Sequence, residues 1–226
     1  MIREQYQKVV EQVAQAAIKA GRDPNEVKLM TVSKTQPVAA IKEAIDAGAV
    51  LLGENRVQEL SEKRPQLPLC EMHMIGHLQS NKVAKAVEHA DMIQSVDSVK
   101  IAREISKVCI KLNKEMPVLL EINIGRDEAK FGFMREQVDE ALAEIAGMPG
   151  IKIRGLMTIP PFFCGKVQTQ EYFSQMKQLF IDIGRKKMDN ICMDILSMGM
   201  SDDYDLAVAE GSTLVRVGTA IFGQRY

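Results

Sequence analysis

Lys34 closes the apolar run Leu29-Met30-Thr31-Val32-Ser33, and a lysine in that position has a specific chemistry open to it. If the run is a strand, the alternation Met30, Val32, Lys34 puts the amine on the same face as two apolar side chains. Burial disfavours an ammonium ion and favours the neutral amine, the form that attacks an aldehyde to make a Schiff base. The competing reading is a strand-end lysine whose methylenes cover apolar surface while its charge reaches water. Arg216, inside Leu214-Val215-Arg216-Val217, raises a related question, because an unpaired guanidinium is costly to bury. Asp205 or Glu210 would make it a structural ion pair; the ring nitrogen of a bound cofactor would make it functional. An arginine there would keep that nitrogen unprotonated and weaken the cofactor as an electron sink.

Ser201, in Met200-Ser201-Asp202-Asp203, is expected as the N-cap of a following helix. The same place could direct its hydroxyl and unpaired backbone N–H groups at an anion, and Gly218-Thr219 offers a second set of donors with close backbone approach. Other chemistries find little support. His73 and His77 are four apart, but Met74-Ile75-Gly76 between them reads as a strand entering a turn, not as a zinc-binding helix. Cys70, Cys109, Cys164 and Cys192 are scattered, with no CxxC pair, and read as reduced and structural. There is no GxGxxG and no GxxxxGK[ST], hence no basis for a dinucleotide or nucleoside triphosphate site.

Short apolar runs alternate with longer helical patterns, the signature of parallel βα units. The runs at Lys28 to Ser33, Ala49 to Leu52, Met72 to Ile75, Met92 to Val96, Val118 to Asn123, Ile151 to Met157, Asp194 to Met198 and Leu214 to Val217 predict eight strands. Helical periodicity covers Val38 to Ala47, Val99 to Asn113, Glu136 to Ala146 and Thr169 to Lys187, after an amphipathic N-terminal helix. Pro37 and Asp97-Ser98 supply start signals, and Gly48 and Gly147 stop signals. Gly165 to Thr169 reads as an exposed loop. The expected fold class is α/β, a single (β/α)8 TIM-type barrel with an additional N-terminal helix, forming one domain over 1–226. In such a barrel the strand C-termini form the active face, and anion sites often follow strands seven and eight. Lys34, Ser201, Arg216, Gly218 and Thr219 all fall there.

With 226 residues, 46% of them hydrophobic, the chain can bury one sizeable core. The net charge of -1 argues against a broad grip on nucleic acid. No apolar stretch approaches the roughly 20 residues that span a bilayer. The N-terminus lacks the apolar core of a secretory signal, which predicts a cytoplasmic protein.

The motifs VSKTQP, GENRVQE, HMIGHLQSNK, LLEINIG with KFGF, GLMTI, LSMGMSDD and RVGTAIFG occur in the order seen in the pyridoxal phosphate homeostasis proteins, which the chain resembles over nearly its whole length. The resemblance implies the barrel shared with the N-terminal domain of alanine racemase and pyridoxal 5'-phosphate as cofactor. It implies Lys34 as the Schiff-base lysine, Arg216 near the ring nitrogen, and Ser201, Gly218 and Thr219 around the phosphate. It adds Asn55 as a further contact, with His77 and Met157 as additional candidates near the mouth; loop ordering and barrel packing are their structural alternatives. The implied role is buffering the cofactor and delivering it to apo forms of dependent enzymes. The alternative is a small racemase or other enzyme using the same cofactor. Alanine racemases carry a further β domain and a tyrosine base from a partner subunit. Here the tyrosines are Tyr6, Tyr172, Tyr204 and Tyr226, and Tyr204 alone lies close to a mouth motif.

Overall fold

The computed structural model describes residues 1–162 and 164–223. Eight parallel strands close in sequence order into a barrel: β1 (Lys28–Val32), β2 (Leu51–Glu54), β3 (Glu71–Met74), β4 (Met92–Val96), β5 (Met116–Glu121), β6 (Ile151–Met157), β7 (Ile191–Ser197) and β8 (Leu214–Val217). β1 pairs with both β2 and β8, with Thr31 opposite Leu52 and Met30 opposite Arg216. This closure leaves no open sheet edge.

Helices fill the crossovers. The first, α1 (Ile2–Lys19), precedes the barrel; α2 (Val38–Asp46), α3 (Val57–Lys63), α4 (Val83–His89), α5 (Val99–Leu112), α6 (Val138–Ala146), α7 (Lys166–Arg185), α8 (Tyr204–Ala209) and α9 (Thr219–Phe222) follow the strands in turn. The α3 and α4 segments are too short for apolar periodicity to reveal. In α1, Tyr6, Val9, Val13 and Ala17 recur at three and four and bury against Val208, Val215 and Ile221, each large side chain contributing roughly 1.5–3 kcal/mol. Ser98 caps α5 by accepting from the Ile101 N–H at 3.4 Å. Among the described residues no helix is long and apolar enough to cross a membrane.

Several boundaries differ from the sequence expectation. The second strand starts at Leu51 because the Ala49 N–H still closes α2 on Ala44 C=O, and it continues through Gly53 and Glu54, which pair with His73 and Met74. Gly165 to Thr169 is not a loop: Gly165 caps α7, and Thr169 is buried within its first turns. Ser201 is not an N-cap. A turn closed by the Tyr204 N–H on Met200 C=O delays α8, so Asp203 takes the cap position and accepts from the Met200 N–H at 2.6 Å.

Met92, Leu119 and Met157 pack together with Ile195 as one apolar cluster. Gly53 sits close beside Met30: a Cβ there would stand 2.6 Å from Met30 Sδ, so the Met30 side chain would have to shift. Cys70, Cys109, Cys164 and Cys192 are all free.

Candidate functional site

A cavity of about 450 Å³ opens among the C-terminal ends of the strands, lined by Val32, Lys34, Asn55, Ile75, Ile159, Phe162, Met200, Ser201, Asp202, Arg216, Gly218 and Thr219. Its size suits a small organic ligand. Six residues singled out from the sequence, Lys34, Asn55, Ser201, Arg216, Gly218 and Thr219, therefore share one wall system although they come from opposite ends of the chain. A second hollow of about 510 Å³ between Arg22, Lys177 and Arg154 takes in Lys28, where β1 begins, and includes none of them.

Each wall residue is placed by its strand or the loop after it. β1 ends at Val32, one residue short of the expected strand, and Lys34 lies in the turn that follows; Val32 and Lys34 both line the cavity, while Met30 packs with Val32. Arg216 is buried at 4% exposure and does not pair with Asp205 or Glu210, the partners its sequence neighbourhood suggested. Its Nη1 donates to Ser197 Oγ at 2.6 Å and its Nη2 to Thr158 C=O at 2.8 Å. Burial pushes the guanidinium down to about 10, opposed by the charges of Asp203 and Glu121, so it stays a cation at neutral pH. Glu210 instead accepts from Gln170 on the outside of the barrel.

Ser197 donates to Gln94 Oε1 at 2.7 Å, and Gln94 Nε2 reaches His73 Nδ1 at 2.8 Å, while His73 Nε2 meets Glu71 Oε1 at 2.7 Å. β4 and β7 are not neighbours, so this chain crosses the barrel interior. Its direction follows from the donors available. Arg216 can only donate, which leaves the Ser197 hydroxyl to donate to Gln94 and the Gln94 amide to donate to an unprotonated Nδ1.

Where β8 ends, Gly218 approaches Val32 so closely that a Cβ would lie 3.1 Å from Val32 C=O. The N–H groups of Thr219 and Ala220 open α9, before any helical acceptor exists for them. Released from capping, Ser201 lines the same wall. Asn55 Oδ1 is buried without a hydrogen-bond partner among the described residues, an acceptor whose desolvation a ligand donor would offset. Lys130 braces the loop after β6 by donating to Ile159 C=O at 3.1 Å and to Pro160 C=O, and burial lowers its pKa.

Three candidates lie elsewhere. His77 belongs to a separate rim pocket with Asp97 and Phe131; its Nδ1 is 2.8 Å from Asp97 Oδ2, and its ring stacks on Phe131 at 3.5 Å between centroids. Met157 is fully buried in barrel packing. Tyr204 faces α1, its hydroxyl 3.3 Å from Gln12 Oε1, and does not line the cavity. Tyr226 lies outside the described residues.

Sequence reasoning missed Glu121, Ser197, Gln94 and Glu54. Gln94 lies inside β4, the same signal that drew attention to Arg216, whereas Glu54, Glu121 and Ser197 are the polar last residues of β2, β5 and β7. Burial pushes the Glu121 carboxyl up to about 7, with Asp97 adding to the shift and Arg216 and Lys130 opposing it.

Comparison with known proteins agrees with this architecture. The family described as alanine racemase, N-terminal domain, matches residues 6–226. A pyridoxal phosphate homeostasis protein of Aquifex aeolicus is 38% identical over 224 residues, covering 98% of this chain and 97% of that one. The chain belongs to the pyridoxal phosphate homeostasis protein family. The solved structure of the family member PipY of Synechococcus elongatus, with pyridoxal phosphate bound, superposes with a TM-score of 0.85 at 36% identity, covering 99% of this chain and all of the other. Alanine racemase of Clostridium difficile shares the fold, with a TM-score of 0.75 at 15% identity, but this chain covers only 59% of it.

Proposed function

We propose that the chain is a single domain over 1–226 that binds pyridoxal 5'-phosphate in the mouth cavity, with Lys34 as its covalent anchor. The observation that carries this reading is the convergence of Lys34, a buried charged Arg216 and the donors around Ser201, Gly218 and Thr219 on one cavity. The orphaned Asn55 Oδ1 supports it, as does the bound ligand reported for PipY. The residues fit the cofactor: cationic and N–H donors suit a phosphate, and an arginine suits a ring nitrogen that is to remain unprotonated.

The bound cofactor supplies an aldehyde. The Lys34 amine adds to the aldehyde carbon, a C–N bond forms, and the carbonyl oxygen leaves as water with the two amine hydrogens. The reverse reaction consumes one water and frees the cofactor. Arg216 holds its charge at the ring nitrogen, while the apolar side chains of Val32, Ile75 and Ile159 restrict water. No tyrosine among the described residues stands at the cavity as a second base, and an arginine partner weakens carbanion chemistry, so holding and releasing the cofactor is the better-supported role. Its proposed setting is the cytoplasm and its recipients are apo forms of pyridoxal phosphate enzymes.

The test is reduction with borohydride followed by peptide mass mapping. The label is expected on Lys34, and Lys34→Ala should lose both the label and the imine absorbance. A spectrum that persists in that variant would reject the assignment.

A further inference from the structure

The segment that carries Lys34 is gripped by charges that the cavity does not use. Thr35, the next residue, has φ of +64°, a left-handed conformation that a β-branched side chain enters only at a cost. Its N–H donates to Glu59 Oε2 at 2.6 Å, and its hydroxyl donates back to Lys34 C=O at 2.6 Å. On the other side, Ser33 C=O accepts from Lys63 Nζ at 2.8 Å, and Ser33 Oγ donates to Glu54 Oε1 at 2.6 Å. Lys63 joins the two grips. Its ammonium also donates to Glu54 Oε1 at 2.9 Å and to Glu59 Oε2 at 2.7 Å, which uses its full set of N–H donors. Lys63 and Glu54 are buried, and Glu59 and Lys63 stand one helical turn apart on α3, where side chains four apart face the same way.

We propose that Glu54, Glu59 and Lys63 form a clamp on the backbone either side of Lys34 that sets the reach of its amine into the cavity, making Glu59 and Lys63 positioning residues for capture of the aldehyde. The inference rests on the reading of Lys34 as the covalent anchor. A strained residue persists only where its surroundings over-determine it, and here one carboxylate holds the strained N–H directly. Without Glu59, Thr35 can relax toward the ordinary region, which turns the Lys34–Thr35 peptide and moves the root of the lysine side chain. Covalent capture needs the reacting atoms about 3–3.5 Å apart, and a displacement of about 1 Å can cost on the order of 100-fold. Non-covalent binding through the donors around Gly218 and Thr219 and through Arg216 does not depend on that reach.

The experiment uses Glu59→Ala, with Glu59→Gln as the conservative variant that keeps an acceptor. In the ligand-free chain, amide exchange at Thr35, read by NMR, should accelerate about 10- to 100-fold in Glu59→Ala. The rate of borohydride-trappable capture of pyridoxal phosphate should fall by about 10- to 100-fold, with Glu59→Gln between this variant and the parent. Affinity for pyridoxamine 5'-phosphate, which has no aldehyde, should stay unchanged. Capture at the parent rate despite faster Thr35 exchange would overturn the clamp, as would an equal loss of capture and of pyridoxamine phosphate binding. If Glu59→Ala does not fold, the same comparisons on Glu59→Gln decide. A parent chain that yields no trappable adduct would sink the Lys34 reading and the clamp with it, a result distinct from any effect of the Glu59 variants.

Discussion

The guanidinium of Arg216 donates to Ser197 Oγ at 2.6 Å across the β7–β8 seam, and through Ser197 it is tied to a hydrogen-bonded chain that crosses the barrel interior to His73 and Glu71. The cation that lines the mouth cavity is thus held by a hydroxyl and a backbone carbonyl, with no direct carboxylate bond among the described residues. That arrangement keeps the charge available to a ligand.

Breaking the Arg216–Ser197 link should be felt in stability, and removing Arg216 in binding. Ser197→Ala leaves buried donors and acceptors on Arg216 and Gln94 short of a partner, which costs about 1–3 kcal/mol; urea denaturation measures it. Arg216→Ala is expected to weaken cofactor retention by about 10- to 100-fold, the equivalent of one charged hydrogen bond, as read by absorbance after dialysis. Unaltered retention would remove Arg216 from the site.

Glu121 predicts a particular pH dependence. Its folded pKa of about 7 lies above the ordinary 4.5, so the folded chain binds the proton more tightly than the unfolded one. The carboxyl therefore contributes stability that is fully present below about pH 4.5 and is lost as the pH rises through about 7, on the order of 3 kcal/mol in total. Thermal melts of Glu121→Gln should show a gain over the parent at pH 8 that shrinks toward pH 5. A gain independent of pH would contradict the buried carboxyl.

Two glycines should differ sharply in their tolerance of alanine. Gly155 has φ of +148°, and a Cβ there would stand 1.8 Å from the Ile195 carbonyl oxygen, so Gly155→Ala should cost about 3 kcal/mol or more. Gly165, the cap of α7, has nothing within 4 Å of that position, and Gly165→Ala should change stability by no more than about 0.5 kcal/mol. Chemical denaturation of both variants checks the contrast.

A carrier and an enzyme differ in turnover. Loaded protein incubated with a panel of amino acids should give no racemised or deaminated product beyond one equivalent, and it should restore activity to an apo-enzyme while free cofactor is trapped. Sustained product formation would overturn the carrier reading.

The strand–helix alternation, the barrel and the placing of Lys34, Ser201 and Arg216 near strand C-termini were legible in the sequence because the period-2 and 3.6 patterns and the mouth motifs are local. Lys34 and Arg216 stood out for the same reason, as charges inside short apolar runs. Partnerships were not legible. Arg216 bonds Ser197 and Thr158 rather than Asp205 or Glu210, Gln94 meets Ser197 across a closed sheet, and Lys63 joins Ser33 to Glu59, because barrel closure sets which distant strands and loops face each other. The same closure sends His77 to the rim, Met157 into the packing and Tyr204 onto α1. The amino-acid order determined which groups had chemistry to offer; the curvature and register of the closed sheet decided which of them meet.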